Sequence, residues 1–316
     1  RQARPRFQST IMIPLRSALL PPPPLPRFLL GATVALLAFV GFATGASVAP
    51  AAAPAAPPSP SPVLFSWERG IALRIPGEKT ADMYLWFYEW NMFEAMQAGQ
   101  HTHGTYKLDR KLNPAGTEAV IESPAVGLTV RVVPGGADLF VRITNRTDYG
   151  WPEIAGIIPC WNPGQVEGTN PSSPLPLNRN FSDPGRTKTF FVSAAGLTPL
   201  ASRAIHFNTD YRAAVDRASA GGTFLFSSKW PTSDVNATAG LLVRESEDGR
   251  WVTGVAWEDY LSVQGHNPWS CLHACIRAGA LKPVESKTIR GKLYLFPGKK
   301  EDVVAQFARD FPAPKQ

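Results

Sequence analysis

The chain has 316 residues, 44% of them hydrophobic and 10% aromatic, the content of a protein with a large core, which excludes disorder for most of its length. Its formal net charge of +7 suggests nucleic acid only until the charges are placed: five arginines (Arg1, Arg4, Arg6, Arg16, Arg27) precede the first acidic residue, Glu68, and without those five the charge is +2. A nearly neutral remainder removes the electrostatic case for a nucleic-acid partner.

The same arginines stand before an apolar run, Phe28 to Phe42, and the small residues Ala43 to Ala49, which is the order of a secretory signal. Residues 1–49 therefore read as a basic leader plus signal, cut after Ala46. They also fit an uncleaved N-terminal anchor, because Phe28 to Ala49 matches the ~20 residues that cross a bilayer. Either way the protein is expected to be exported, to the periplasm, cell envelope or extracellular space. It meets a membrane only through this segment, and only if the segment is uncleaved. Residues 50–62, PAAAPAAPPSPSP, cannot build a core and form a proline-stiffened linker.

Residues 63–316 read as one domain. Strand-like runs follow one another between Gly, Pro, Asn and Asp turns: Ile71 to Ile75, Met83 to Trp90, Ala119 to Glu122, Gly127 to Val133, Asp138 to Thr144, Thr189 to Ser193, Thr223 to Ser228, Gly240 to Glu245, Trp251 to Trp257, Cys271 to Arg277 and Thr288 to Phe296. The spacing predicts an all-β, mainly antiparallel fold, a large β-sandwich or a barrel, with hairpins at Pro134-Gly135-Gly136 and Glu247-Asp248-Gly249. Two helices are expected. Asn91 followed by Glu94, with Gly99 as a stop, predicts a short one over 92–98. Val303, Val304, Phe307 and Phe311 make an apolar stripe that ends at Pro312, which predicts a C-terminal one over 301–311. Asn162 to Arg186 is rich in Pro, Gly, Asn and Ser and reads as a rim loop or lid.

Three constellations carry candidate chemistry. His101 and His103 are spaced so that, in an extended segment, both imidazoles share a face and can hold a divalent metal. Their spacing resembles the first histidine pair of cupins, but Lys107 and Leu108 stand where a cupin carries its glutamate. The plainer reading is a hydrogen-bonded pair at a strand edge; a third makes one of them a general acid or base. In Trp269 to Arg277, alternation places Leu272, Ala274 and Ile276 toward the core and Cys271, His273, Cys275 and Arg277 on the other face, a mixture suited to the floor of a cleft. His273 can complete a site with His101 and His103, or be a satisfied buried histidine between two small thiols. Along a strand Cys271 and Cys275 stand ~13 Å apart, so Cys160 can pair with only one of them.

Tryptophans supply the third signal. Sugar rings present apolar CH faces that stack on indoles, and Trp86, Trp90, Trp161 and Trp269 are the candidate platforms, with Trp161 and Trp269 expected to be exposed because of their Asn-Pro loop settings. Arg244 and Arg277 can grip an acidic sugar through a planar fork, or pair with glutamates. Glu153 and Glu258 lie beside apolar residues where burial would suit acid/base work. Motifs for phosphate-cradling loops, dinucleotide binding, HExxH metalloproteases and GxSxG hydrolases are absent. Asn145, Asn180 and Asn236 match the short glycosylation pattern, which is frequent by chance.

Many antiparallel strands, a tryptophan-rich loop system and a strand with a polar His/Arg face together resemble the large β-sandwich, or supersandwich, of galactose mutarotase-like proteins and the related domains of polysaccharide-processing enzymes, over about residues 63 to 300. The chain is similar also to a secreted bacterial β-sandwich family. The resemblance implies that a concave sheet holds the sugar among histidine, arginine and glutamate. The resulting expectation is a carbohydrate-binding or carbohydrate-active protein whose partner is an oligosaccharide or polysaccharide. In an enzyme of this kind (mutarotase-like, lyase or hydrolase), His101, His103 or His273 moves the proton, with Glu153 or Glu258 as its partner. A non-catalytic envelope or scaffold protein and a metalloenzyme built on His101 and His103 are the alternatives.

Overall fold

The computed structural model describes residues 61–67, 70–78, 82–91, 102–103, 109–164, 177–221, 231–265 and 270–312. The expected helix over 92–98, the strand Thr223 to Ser228, Trp269, the leader and all but the last two residues of the linker lie outside them. Among the described residues there are seventeen strands. They are β1 (Val63–Trp67), β2 (Gly70–Arg74), β3 (Met83–Asn91), β4 (Thr102–His103), β5 (Asp109–Leu112), β6 (Glu118–Glu122), β7 (Val126–Val133), β8 (Gly136–Thr144) and β9 (Gly156–Asn162). After these come β10 (Thr189–Ser193), β11 (Gly196–Pro199), β12 (His206–Phe207), β13 (Leu241–Glu245), β14 (Trp251–Trp257), β15 (Tyr260–Gly265), β16 (Leu272–Arg277) and β17 (Ser286–Pro297).

They form two antiparallel sheets, as the spacing of turns predicted. One has eight strands in the order β1-β2-β3-β9-β16-β15-β12, with β4 also on β3; the other has nine, in the order β11-β10-β13-β14-β17-β8-β7-β6-β5. Both predicted hairpins are there, β7 with β8 and β13 with β14. Alternation explains the layers. Leu85, Ile157, Trp161, Leu272, Ala274 and Ile276 of the first sheet meet Leu128, Val141, Leu242, Val255 and Leu293 of the second in one continuous core.

Strand β9 runs through the middle of the eight-stranded sheet despite Pro159, which has no N–H to give. The sheet yields on both sides of it: β3 bulges between Trp86 and Trp90, and the pairing with β16 is interrupted between Ile157 and Trp161. Trp161 is therefore no loop residue. It is fully buried, its Nε1 donates to Thr253 Oγ1 at 2.9 Å across the sandwich, and the expectation of an exposed platform there is corrected. Trp257, equally buried, lies over Gly291, where even a methyl group would stand 2.2 Å from the indole.

Two helices cover parts of the outer faces. Helix α1 (Arg212–Ala220), which its weakly apolar sequence did not reveal, buries Val215 against Ile158, Phe207, Leu261 and Cys275 of the eight-stranded sheet. Helix α2 (Lys300–Asp310), within a residue of its expected limits, buries Val303 against Leu241, Val252, Tyr294 and Phe296 of the other. Asp302 caps it by accepting from the Lys299 N–H at 2.8 Å. Among the described residues no helix is long and apolar enough to cross a membrane. Asn145 is fully buried, with Nδ2 donating to the carbonyls of Tyr149 and Leu281, so its glycosylation pattern is fortuitous.

Candidate functional site

Where β3, β9, β16 and β15 lie side by side, their outward residues form one row. Gln264 pairs with His273, the pairing of Leu272 with Trp161 sets His273 opposite Cys160, and Cys160 pairs with Trp86. Directly opposed residues share a face and sit ~4.5–5.5 Å apart at Cβ, so these four side chains stand in contact order across the sheet. Gln264, His273 and Cys160 are buried and Trp86 is half-buried. Gln264 Oε1 has no hydrogen-bond partner among the described residues.

An aromatic shelf continues the row. Trp67, Ala72 and Tyr84 are buried together, with Phe65 and Trp86 packed against them. Trp67 and Tyr84 meet edge to face at 5.9 Å, and the Arg74 guanidinium, clamped by Asp82, lies 4.4 Å from the centre of the Phe65 ring. Burial, with the nearby Asp82 carboxylate, pushes the Tyr84 hydroxyl up to about 12, against the opposing pull of Arg74. It is a neutral donor at any ordinary pH. Asn162 fills the corner, its Nδ2 donating to the Tyr84 carbonyl at 3.3 Å.

Beside the row, Cys271 joins Cys160 and His273: the two sulfurs and a ring nitrogen lie within 4.8 Å of one another, all three residues buried. No disulfide links the cysteines. Arg244 braces this cluster from β13. It is fully buried, Nε donates to Thr189 Oγ1 at 2.8 Å, and Nη1 donates to the carbonyls of Phe181 and Ser270, the residue before Cys271. Burial pushes its pKa down to about 10, opposed by the charges of Asp183, Cys271 and Cys160. Arg244 thus does not reach solvent to grip a sugar: Nε and Nη1 are spent on Thr189 and the backbone, and Nη2 is buried without a hydrogen-bond partner among the described residues. Asp183 is also buried; that burial raises its pKa, but donation from Thr189 Oγ1 and the Thr187 and Lys188 N–H groups, with Arg244 nearby, outweighs it and holds the carboxyl below its usual range. Cys275, the remaining thiol on β16, is pushed far up by burial and stays protonated.

The other candidates gather at the far end of β16. Arg277, four residues and ~13 Å along the strand from His273, forks onto Asp259 at 2.7 and 3.0 Å, donates to the Glu153 carbonyl and stacks on Tyr211 at 4.0 Å. These groups border an open cleft of about 500 Å³ lined by Asn208, Asp210, Tyr211, Glu258, Asp259 and Tyr260 among others. Glu153 and Glu258 are exposed, so the burial expected for them is missing, and neither lies in the row with His273. The acid/base pairing of His273 with either is corrected on that ground. His101 lies outside the described residues. For His103 and Trp90 only the backbone is described: they pair with each other on β4 and β3, which puts His103 three strands, ~14 Å of sheet, from β16.

Sequence reasoning missed Cys160 as a neighbour of His273, and missed Gln264 and Asn162 altogether. Only the register of β9, hidden by Pro159, brings them together.

No family model matches the chain, and no curated protein matches it. Solved structures do. A polysaccharide lyase shares 8% identity over 81% of this chain, with a TM-score of 0.38, and this chain spans 35% of the lyase's length. A galactose mutarotase-like protein from Lactobacillus casei shares 12% identity, covers 75% of this chain and 99% of its own, and has a TM-score of 0.37. A putative aldose 1-epimerase from Escherichia coli shares 13% identity over 76% of this chain and 82% of its own, with a TM-score of 0.29. Galactose mutarotase-like and aldose 1-epimerase proteins are thus among the solved structures to which the chain is similar.

Proposed function

We propose that this protein is an exported carbohydrate-binding protein that takes a sugar on the outer face of the eight-stranded sheet, over the row Trp86, Cys160, His273 and Gln264. One observation carries the reading. On a sheet whose other face fills the core, the outward positions at its centre hold an indole, an imidazole and two amides where simple apolar packing would suffice. A half-buried indole offers a stacking surface for the CH face of a pyranose. Asn162, His273 and Gln264 are planar groups of the kind that fix hydroxyls in a partly desolvated pocket, and Gln264 Oε1 already waits for a donor.

The reading is of binding. A catalytic version needs a proton-transfer partner for His273, and the expected glutamates stand at the other end of the strand. The experiment is tryptophan fluorescence of the full chain against a panel of neutral and acidic oligosaccharides. A saturable change with at least one glycan is expected, weakened at least tenfold, about 1.4 kcal/mol, by Trp86→Ala while Arg277→Gln leaves it unchanged. Absence of any glycan-dependent signal, or binding that survives Trp86→Ala, removes the proposal.

A further inference from the structure

We propose that Cys160, Cys271 and His273 form a site for one divalent cation of the zinc class, present whether or not a glycan binds beside it. Three donors of the right chemistry, two soft sulfurs and an imidazole, come from two adjacent strands to within 4.8 Å of one another. A tetrahedral zinc with sulfur at ~2.3 Å and nitrogen at ~2.0–2.1 Å needs its donors ~3.5–3.8 Å apart, so side-chain rotations of about 1 Å close the set. Chance pairs of buried cysteines are common. A cross-strand Cys160–His273 pair joined by a second sulfur at the strand entrance is a set with defined geometry.

The surroundings fit the ion. Two thiolates, a neutral imidazole and a divalent cation sum to zero, the only charge state a dry site tolerates cheaply. Asp183 offsets the charge of the Arg244 guanidinium that stands beside the cluster. By holding the Ser270 carbonyl, Arg244 also fixes the backbone that delivers Cys271, the outer-sphere support that oriented ligands require. Ser270 itself is in the left-handed region, φ 55°, a conformation that costs a non-glycine residue and that the neighbouring structure must enforce. A fourth position is left to Gln264, whose Oε1 is buried without a partner among the described residues and whose backbone lies opposite His273. It can accept from a water held there, or from the sugar hydroxyl that replaces that water. The competing use of the two sulfurs is a Cys160–Cys271 disulfide, which brings them to ~2.05 Å and leaves His273 no part.

The test is made on the full chain, purified under reducing conditions, stripped by a chelator and reloaded with zinc or cobalt(II). One equivalent of metal per chain is expected, with cobalt giving the visible bands of a tetrahedral ion and thiolate charge-transfer intensity appropriate to two sulfurs. That intensity counts the ligands in the wild type, so the answer does not depend on a variant folding. Cys160→Ser and His273→Gln are expected to lose stoichiometric binding, and Cys275→Ser, one turn of the pleat further along the same face, to keep it. Uptake of less than about a tenth of an equivalent by the reduced wild type overturns the proposal. So does a cobalt spectrum without thiolate bands, retention of the spectrum by Cys160→Ser, or a Cys160–Cys271 disulfide whose reduction yields no metal uptake.

Discussion

Four residues of β16 separate two polar regions that differ in almost every physical respect. Around His273 the polar groups are buried, and their hydrogen bonds run to backbone carbonyls and to one another, as Arg244 shows with Thr189, Phe181 and Ser270. Around Arg277 the groups border an open cleft, and Asp259 balances Arg277 and Lys287 at once. In the first region each polar atom needs a partner or costs about 1–3 kcal/mol; in the second, water makes good what a substitution removes. Alternation along one strand cannot tell these apart, because His273 and Arg277 share a face. What divides them is what the neighbouring strands bring.

The sharpest way to break this comparison is Arg244→Met. It keeps volume and removes the charge, leaving the Phe181 and Ser270 carbonyls and Thr189 without a donor and Asp183 without its nearby cation. Removing one member of such a buried set is expected to cost about 3–5 kcal/mol in urea unfolding. A loss below about 1 kcal/mol would mean that the region is wet. Trp161→Ala, next in size, should cost about 3–5 kcal/mol as a core truncation. Trp161→Phe, which gives up mainly the 2.9 Å bond to Thr253, should cost about 1–2 kcal/mol. A Trp161→Ala that is stable and merely weakens glycan binding would restore the exposed-platform reading.

Acid offers a third measurement on the same region. The Asp183 carboxyl titrates lower in the folded chain than in the unfolded one. The unfolded chain therefore binds the proton first. The stability this supplies is complete above the unfolded value near ~3.9 and is lost as pH falls through the lower folded value. Asp183→Asn is expected to be less stable at pH 7 and to show a flatter decline below pH ~4 than the wild type. Parallel declines would show that Asp183 gains nothing from its three donors.

Much of the architecture was legible because two-residue periodicity and turn residues are local. β8, β14, β16 and β17 and helix α2 needed nothing beyond their own segments. β9 was not legible, since Gly156-Ile-Ile-Pro-Cys-Trp-Asn has no alternation, being buried on both faces, and contains a proline that argues against a central strand. Its acceptance depends on a bulge in β3, a partner more than sixty residues earlier in the chain. The candidate site inherits this division. The outward set Cys271, His273, Cys275 and Arg277 follows from β16 alone, whereas Cys160, Gln264 and the bracing Arg244 enter through register. In sequence Arg244 suits a fork for an acidic sugar or a glutamate partner; its burial rests instead on Thr189 and on the carbonyls of Phe181 and Ser270, both supplied from outside the strands.

The smallest expected effects belong to the cleft, and they complete the comparison. Asp259 accepts from Arg277 at 2.7 Å and Lys287 at 2.5 Å with its carboxylate partly exposed. Asp259→Asn, which keeps the shape and removes the charge, is expected to cost about 1 kcal/mol, the range of partly solvated ion pairs, and less in high salt, where screening already weakens them. Glu258→Gln should stay within about 0.5 kcal/mol of wild type. The glutamate is exposed, and the bond it accepts from the Arg290 N–H at 2.6 Å can pass to the amide oxygen. Urea unfolding at low and high ionic strength measures both. If Asp259→Asn proved as costly as Arg244→Met and indifferent to salt, the cleft would be as dry as the row, and the position of a group along β16 would not decide its environment.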